Sequence, residues 1–178
     1  MLISLIGYRG TGKTTIGSLL AERLGWSCID SDVQIEREMG CSIRQIFDSE
    51  GEDGFRDRES VVIEKLTRMY KVVLSLGGGA ILRERNRMLI GTSGPVVWLT
   101  ASPEELHRRI SDDPASTTQR PNLTSIGGGL DEIKTVLETR LPLYRKCSDV
   151  EIDTEGKLPG EIVDEIINLL GLTDPTSV

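Results

Sequence analysis

Apolar residues follow two rhythms along this chain. Five runs have strand length: Met1 to Ile6, Trp26 to Asp30, Lys71 to Leu76, Pro95 to Leu99 and Asp149 to Asp153. Elsewhere the apolar positions fall at helical spacing, over Ile16 to Leu24, Val33 to Met39, Ser42 to Ser49, Asp53 to Met69, Ala80 to Ile90, Asp131 to Arg145 and Pro159 to Leu170. Ser102-Pro103-Glu104-Glu105 marks a further helix start, with a capping Ser, a Pro in the first turn and early acidic residues. Strands alternating with helices predict an α/β domain in three layers, α/β/α, around a parallel sheet covered on both faces. Such sheets bind ligands beyond the carboxyl ends of their strands. Gly7, Asp30 to Asp32 and Gly77 to Gly79 each directly follow a predicted strand, so these segments are expected to meet at one edge of the sheet.

The pattern stops between Ser111 and Leu130. That stretch is polar, holds Pro114 and Pro121, and runs through Gly127-Gly128-Gly129. A loop so long inside a compact domain is functional or disordered. Residues from Gly171 onward are expected to fray.

At 178 residues the chain is one domain by length. Its 38% hydrophobic and 28% charged residues are ordinary for a soluble globular protein. A net charge of −7 argues against nucleic acid as a partner, and with it against helicases and other motor NTPases. Cys28, Cys41 and Cys147 have neither metal-ligand spacing nor an even count, and read as reduced thiols of a cytosolic protein. No signal peptide is expected, because the first apolar run leads straight into a Gly-rich loop, and no run approaches the ~20 apolar residues of a membrane span.

That loop carries the chemistry. Gly7-Tyr8-Arg9-Gly10-Thr11-Gly12-Lys13-Thr14-Thr15 is Gly, four residues, then Gly-Lys-Thr: a phosphate-binding loop between strand and helix. Gly7, Gly10 and Gly12 let successive N–H groups turn inward toward phosphate oxygens. Lys13 supplies a point charge to the β- and γ-phosphates, the Thr14 hydroxyl is placed for Mg²⁺, and the following helix aims its positive end at the same anion. A nucleoside triphosphate is the predicted ligand.

Phosphoryl transfer needs positioning, Mg²⁺ and positive charge more than covalent help. Asp30 and Asp32, two apart, face the same way if the segment is extended. One would hold Mg²⁺ through water and the other would orient or deprotonate an acceptor hydroxyl; either is also a candidate helix cap. Arg56 and Glu59 stand at i, i+3, where the carboxylate can hold the guanidinium, and Arg140 and Tyr144 at i, i+4. Gly77-Gly78-Gly79 reads as a turn or a backbone nest for an anion. Arg120, the one basic side chain between Ser111 and Leu130, suits a finger reaching over a triphosphate. His107, the only histidine, falls in a surface-like helix and is not expected to act as a base.

Taken together, the phosphate loop, Asp30-Ser31-Asp32, Gly51-Glu52, Phe55-Arg56-x-x-Glu59, Leu76-Gly77-Gly78-Gly79, Arg120-Pro121 and Arg140-x-x-x-Tyr144 resemble shikimate kinases in order and approximate spacing, over nearly the whole chain to about Leu170. The resemblance implies a five-stranded parallel sheet of the nucleoside monophosphate kinase type with a mobile lid. It implies transfer of the γ-phosphate of ATP to the 3-hydroxyl of shikimate, with Mg²⁺, in aromatic amino-acid synthesis. Carried over by position, residues 1–170 form one kinase domain with an acceptor-binding segment at about 31–60 and a lid at about 111–130, and 171–178 form the tail. Gly10, Thr11, Gly12, Lys13, Thr14, Thr15, Arg109 and Arg120 would bind ATP, Arg109 rather than Arg108 lying against adenine. Asp32, Arg56, Gly77, Gly78, Gly79 and Arg140 would bind shikimate, the two arginines holding its carboxylate. Lys13, Asp32 and Arg120 would be catalytic, Asp32 as base, and Thr14 and Asp30 would serve the metal. The implied setting is a cytoplasmic monomer working on ATP and shikimate, without nucleic acid or membrane. Two alternatives are a kinase for another hydroxy-acid such as gluconate, and a nucleotide-gated regulatory module without an acceptor.

Overall fold

The computed structural model describes residues 1–112 and 129–173. Five strands, β1 (Leu2–Ile6), β2 (Ser27–Asp30), β3 (Val72–Ser75), β4 (Val96–Thr100) and β5 (Val150–Asp153), form one sheet in the order β2-β3-β1-β4-β5. Every pairing is parallel, with Leu2 beside Val72 and Ser4 beside Val96. Seven helices connect and flank it among the described residues: α1 (Lys13–Leu24), α2 (Ser31–Met39), α3 (Ile43–Leu66), α4 (Glu84–Ser93), α5 (Pro103–Asp112), α6 (Leu130–Cys147) and α7 (Pro159–Leu169).

Alternation along the strands divides the core. Ile3, Leu5, Val73, Val97 and Leu99 pack on one face against Ile16 and Leu20 of α1 and Val163 and Ile166 of α7. Leu2, Ile6, Leu74, Val96 and Trp98 face the other way, against Val62 and Ile63 of α3, Ile90 of α4 and Tyr144 of α6. A sheet buried on both faces is the three-layer arrangement that the hydrophobic pattern predicts.

The two helices predicted over Ser42 to Ser49 and Asp53 to Met69 are both present as the two halves of α3, broken between them at Gly51, whose φ of 71° and ψ of −174° only glycine adopts readily. One boundary differs from the sequence expectation. A helix is expected from Ala80, yet α4 begins at Glu84. Side chains of α4 replace the missing helical bonds: Asn86 Nδ2 donates to the Ala80 carbonyl at 3.0 Å, and Arg87 Nη1 to those of Ile81 and Leu82 at 2.7 and 2.8 Å. The segment from Gly77 to Leu82 therefore stays a turn, tucked against the sheet edge. Of the residues assigned to a lid, Ser111 and Asp112 finish α5 and Leu130 starts α6, preceded by Gly129; Arg120 lies outside the described residues.

Candidate active site

The phosphate loop joins β1 to α1 at the carboxyl edge of the sheet. Gly7 has φ 144°, and a Cβ there would collide with the Leu99 carbonyl oxygen, so the tight exit from β1 requires glycine. Gly12, at φ 87°, caps α1 and leaves its first N–H groups facing outward. The Tyr8 carbonyl gathers the loop, accepting from Thr11 Oγ1 at 2.9 Å and Lys13 Nζ at 2.8 Å. Thr11 is thereby buried beneath the loop, so its side chain works on the loop's shape while Gly10, Gly12, Lys13, Thr14 and Thr15 line the open cleft.

Asp30 ends β2 and does two jobs. Its Oδ1 caps α2 by accepting from the Asp32 N–H at 2.9 Å and the Val33 N–H at 3.5 Å. Its Oδ2 accepts from Thr14 Oγ1 at 3.0 Å and Ser75 Oγ at 3.2 Å, tying the loop to the end of β3. Asp32 is not in an extended segment. It sits in the first turn of α2, because the Asp30 cap starts the helix at Ser31. The two carboxylates still share the cleft, and a Cβ on Gly77 would lie 2.6 Å from Asp32 Oδ1.

A second, smaller pocket opens beside the cleft, enclosing about 540 Å³ of space against about 1350 Å³ for the cleft, open solvent counted in both. Arg56 and Arg140 both line it, with Asp32 and the three glycines. Arg56 is 6% exposed and its Nη1 donates to Glu59 Oε2 at 2.9 Å, with Glu59 only 1% exposed. Burial pushes the Glu59 carboxyl above its usual range, opposed chiefly by the Arg56 charge. Glu52 adds a second, solvent-facing bond to Arg56 Nη2 at 3.2 Å. Phe55 lies 5.1 Å below the guanidinium and 4.8 Å from Phe47, giving the pocket an aromatic wall. From α6, Arg140 Nη1 and Tyr144 Oη converge on the Gly78 carbonyl at 3.1 and 2.7 Å. Tyr144 is fully buried and stacked on Trp98, and burial pushes its phenol up to about 12.

Two of the three glycines are there for space, since none has the left-handed backbone that only glycine favours. A Cβ on Gly79 would lie 2.6 Å from Arg56 Cζ and one on Gly77 2.6 Å from Asp32 Oδ1, whereas one on Gly78 would make only ordinary contacts; the Gly77 N–H donates to Ser31 Oγ at 2.9 Å. Arg109 lines the cleft, held by Glu105 Oε1 at 2.7 Å and by Thr154 Oγ1 at 2.9 Å, whereas Arg108 pairs with Glu105 and Asp112 in solvent. His107 lines neither cavity. Sequence reasoning gave no role to Arg9, Tyr8 and Ser75, and quoted Glu52 in a motif without assigning it one. Glu52 was readable as an i, i+4 partner of Arg56; Ser75 acts only through a register between strands 45 residues apart.

A phosphate loop after β1, a parallel sheet ordered β2-β3-β1-β4-β5 and an arginine-lined pocket beside the phosphate cleft define a P-loop kinase for a small metabolite. The model of the family described as shikimate kinase matches residues 9–171. A shikimate kinase of Rhodopirellula baltica is 44% identical over 163 residues, covering 92% of this chain and 87% of that protein. One from Pseudomonas putida is 41% identical, covering 96% of each. The solved shikimate kinase of Acinetobacter baumannii in complex with shikimate superposes with a TM-score of 0.87 at 38% identity, covering 94% of this chain and 91% of that one. The chain belongs to the shikimate kinase family, and is a phosphotransferase acting on a hydroxyl group.

Proposed function

We propose that this chain transfers the γ-phosphate of ATP to the 3-hydroxyl of shikimate, giving shikimate 3-phosphate and ADP. The observation that carries the assignment is the pair Arg56 and Arg140 in one small pocket that ends at Asp32. Two guanidinium groups on one small acceptor match a carboxylate, whose two oxygens can take charge-assisted bonds from both. The missing side chains at Gly77 and Gly79 let the Asp32 carboxylate and the Arg56 guanidinium lie directly against that backbone, beside the space an acceptor would enter. A regulatory module without an acceptor would have no use for that pocket.

In the transfer, a bond forms from the acceptor oxygen to the γ-phosphorus as the bond to the β,γ-bridging oxygen breaks, leaving that electron pair on ADP. Asp32 takes or orients the departing hydroxyl proton. Loop N–H groups and Lys13 hold the phosphates, with Gly10, Gly12 and Thr15 along their path, and Arg109 flanks the base. Thr14 and Asp30 bring one hydroxyl and one carboxylate to within 3.0 Å of each other, a donor set that fits Mg²⁺ completed by phosphates and water. Mg²⁺ bound there would neutralise the charge developing between β- and γ-oxygens.

Residues 1–170 act as one kinase domain, with an acceptor segment at about 31–60, a lid at about 111–130 bearing Arg120, and a tail at 171–178. The working protein is a cytoplasmic monomer with no nucleic-acid or membrane partner. No helix among the described residues is long and apolar enough to cross a membrane. A coupled ADP-release assay tests the assignment: ADP should appear with shikimate present, and only at background rate with gluconate or without an acceptor. Equal release in all three would overturn it.

A further inference from the structure

Five residues line both the phosphate cleft and the acceptor pocket: Arg9, Asp32, Ile43, Gly77 and Gly78. A phosphoryl group passing between the cavities must cross the junction they form. Asp32 brings a carboxylate to it, the glycines bring backbone, and Ile43 brings an apolar wall. Arg9 is the one cation among the described residues that lines both spaces. Lys13 and Arg109 line only the cleft, and Arg56 and Arg140 only the pocket.

The position of Arg9 in the chain has its own logic. The loop motif demands Gly7, Gly12, Lys13 and Thr14, but leaves the second residue after Gly7 open. Its backbone is fixed by the loop and lies against the turn at Gly78, where a Cβ would stand 3.6 Å from the Arg9 nitrogen. A side chain there is anchored at the seam between donor and acceptor. The charges of Arg9 and Arg140 both reach the Tyr8 phenol, easing the upward push that burial gives it.

We propose that Arg9 is a further catalytic residue, gripping the non-bridging oxygens of the phosphoryl group at the junction during transfer and again on the phosphorylated product. This deepens the shikimate kinase assignment and rests on it. The transferring group spreads negative charge over its equatorial oxygens, and a planar guanidinium meets two of them at once. Lys13 approaches from the nucleotide side and Arg9 from the acceptor side. Arg9 neither gives nor takes a proton in the step, so the bonds and proton of the transfer are those already given. The grip implies an asymmetry: Arg9 contributes to binding shikimate 3-phosphate and not to binding shikimate, which has no phosphoryl oxygens.

The test uses the full chain with Arg9→Met and Arg9→Lys, measuring kcat and the calorimetric affinities for shikimate and for shikimate 3-phosphate. A lost charge-assisted contact corresponds to about ten- to hundredfold. Arg9→Met should lose that much in kcat and in product affinity, while shikimate affinity stays within about threefold. Arg9→Lys, which keeps the charge without the fork, should recover part of both and carries the test if the Met variant does not fold. Equal losses for shikimate and its phosphate ester, or an unchanged product affinity in either variant, would overturn the proposal while leaving the kinase assignment intact. A wild-type chain that neither binds nor phosphorylates shikimate would overturn that assignment and the proposal with it.

Discussion

Replacing Arg56 with methionine should cost stability in a way that depends on pH. Arg56 holds Glu59, which is 1% exposed, at 2.9 Å from Nη1 to Oε2. Removing one partner of a buried pair strands the other, at a cost of about 3–5 kcal/mol. The Glu52 bond is a poor substitute measure, since that carboxylate is largely in solvent and worth about 0–1 kcal/mol. In a chain of this size each kcal/mol moves the melting temperature by about 2–4 °C, so Arg56→Met should melt roughly 6–20 °C lower near pH 8. Burial already raises the Glu59 pKa from 4.5, and the Arg56 charge is the first influence holding it down. Without Arg56 the folded-state pKa rises further above the unfolded one. A group so shifted contributes stability fully below its unfolded pKa and loses it as pH rises through the folded value. The deficit of Arg56→Met against wild type should therefore narrow as pH falls from 8, because a Glu59 that takes a proton needs no partner. Adding Glu59→Gln should recover about half the loss or more near pH 8, and flatten its pH dependence. Thermal melts of the three proteins at pH 8, 6.5 and 5 make the comparison. A deficit of the same size at every pH, or no recovery in the double variant, would refute the buried-pair argument.

Lys13→Ala should lower kcat by about 10²–10³, by analogy with one lost oxyanion donor, yet melt within a few degrees of wild type, since its side chain faces the open cleft and not the core; steady-state kinetics and a melt check both. Gly79→Ala drives a methyl into the Arg56 guanidinium, so KM for shikimate should rise about tenfold or more while KM for ATP stays within about threefold, again by kinetics with both substrates varied. Arg120→Ala should lower kcat far more than it raises KM for shikimate, because a lid charge acts mainly when charge moves to the leaving oxygen; a pure KM effect would remove it from the catalytic set.

Residues whose chemistry is local were legible in the sequence. The phosphate loop follows from spacing alone, and Ser102 caps α5 as expected, accepting from the Glu105 N–H at 3.2 Å. The pairing of Arg56 with Glu59 is likewise a matter of one helical turn. Residues whose meaning depends on a distant partner were not. Gly79 reads as a flexible turn until Arg56 is seen lying flat against it, and the helix expected at Ala80 yields to Asn86 and Arg87 reaching back to cap three carbonyls. Of the two readings open for Asp30 and Asp32, extended pair or helix cap, the structure takes the cap: Asp30 accepts from the first turn, and that commits Asp32 to helix.

The central claim is a regiospecific transfer, and the product itself tests it most directly. After incubation with ATP, Mg²⁺ and shikimate, proton-coupled ³¹P NMR should reveal one new phosphomonoester resonance, a doublet coupled to the proton on carbon 3 of the ring. Coupling to a different ring proton, or ATP consumed to ADP and inorganic phosphate alone, would contradict the account.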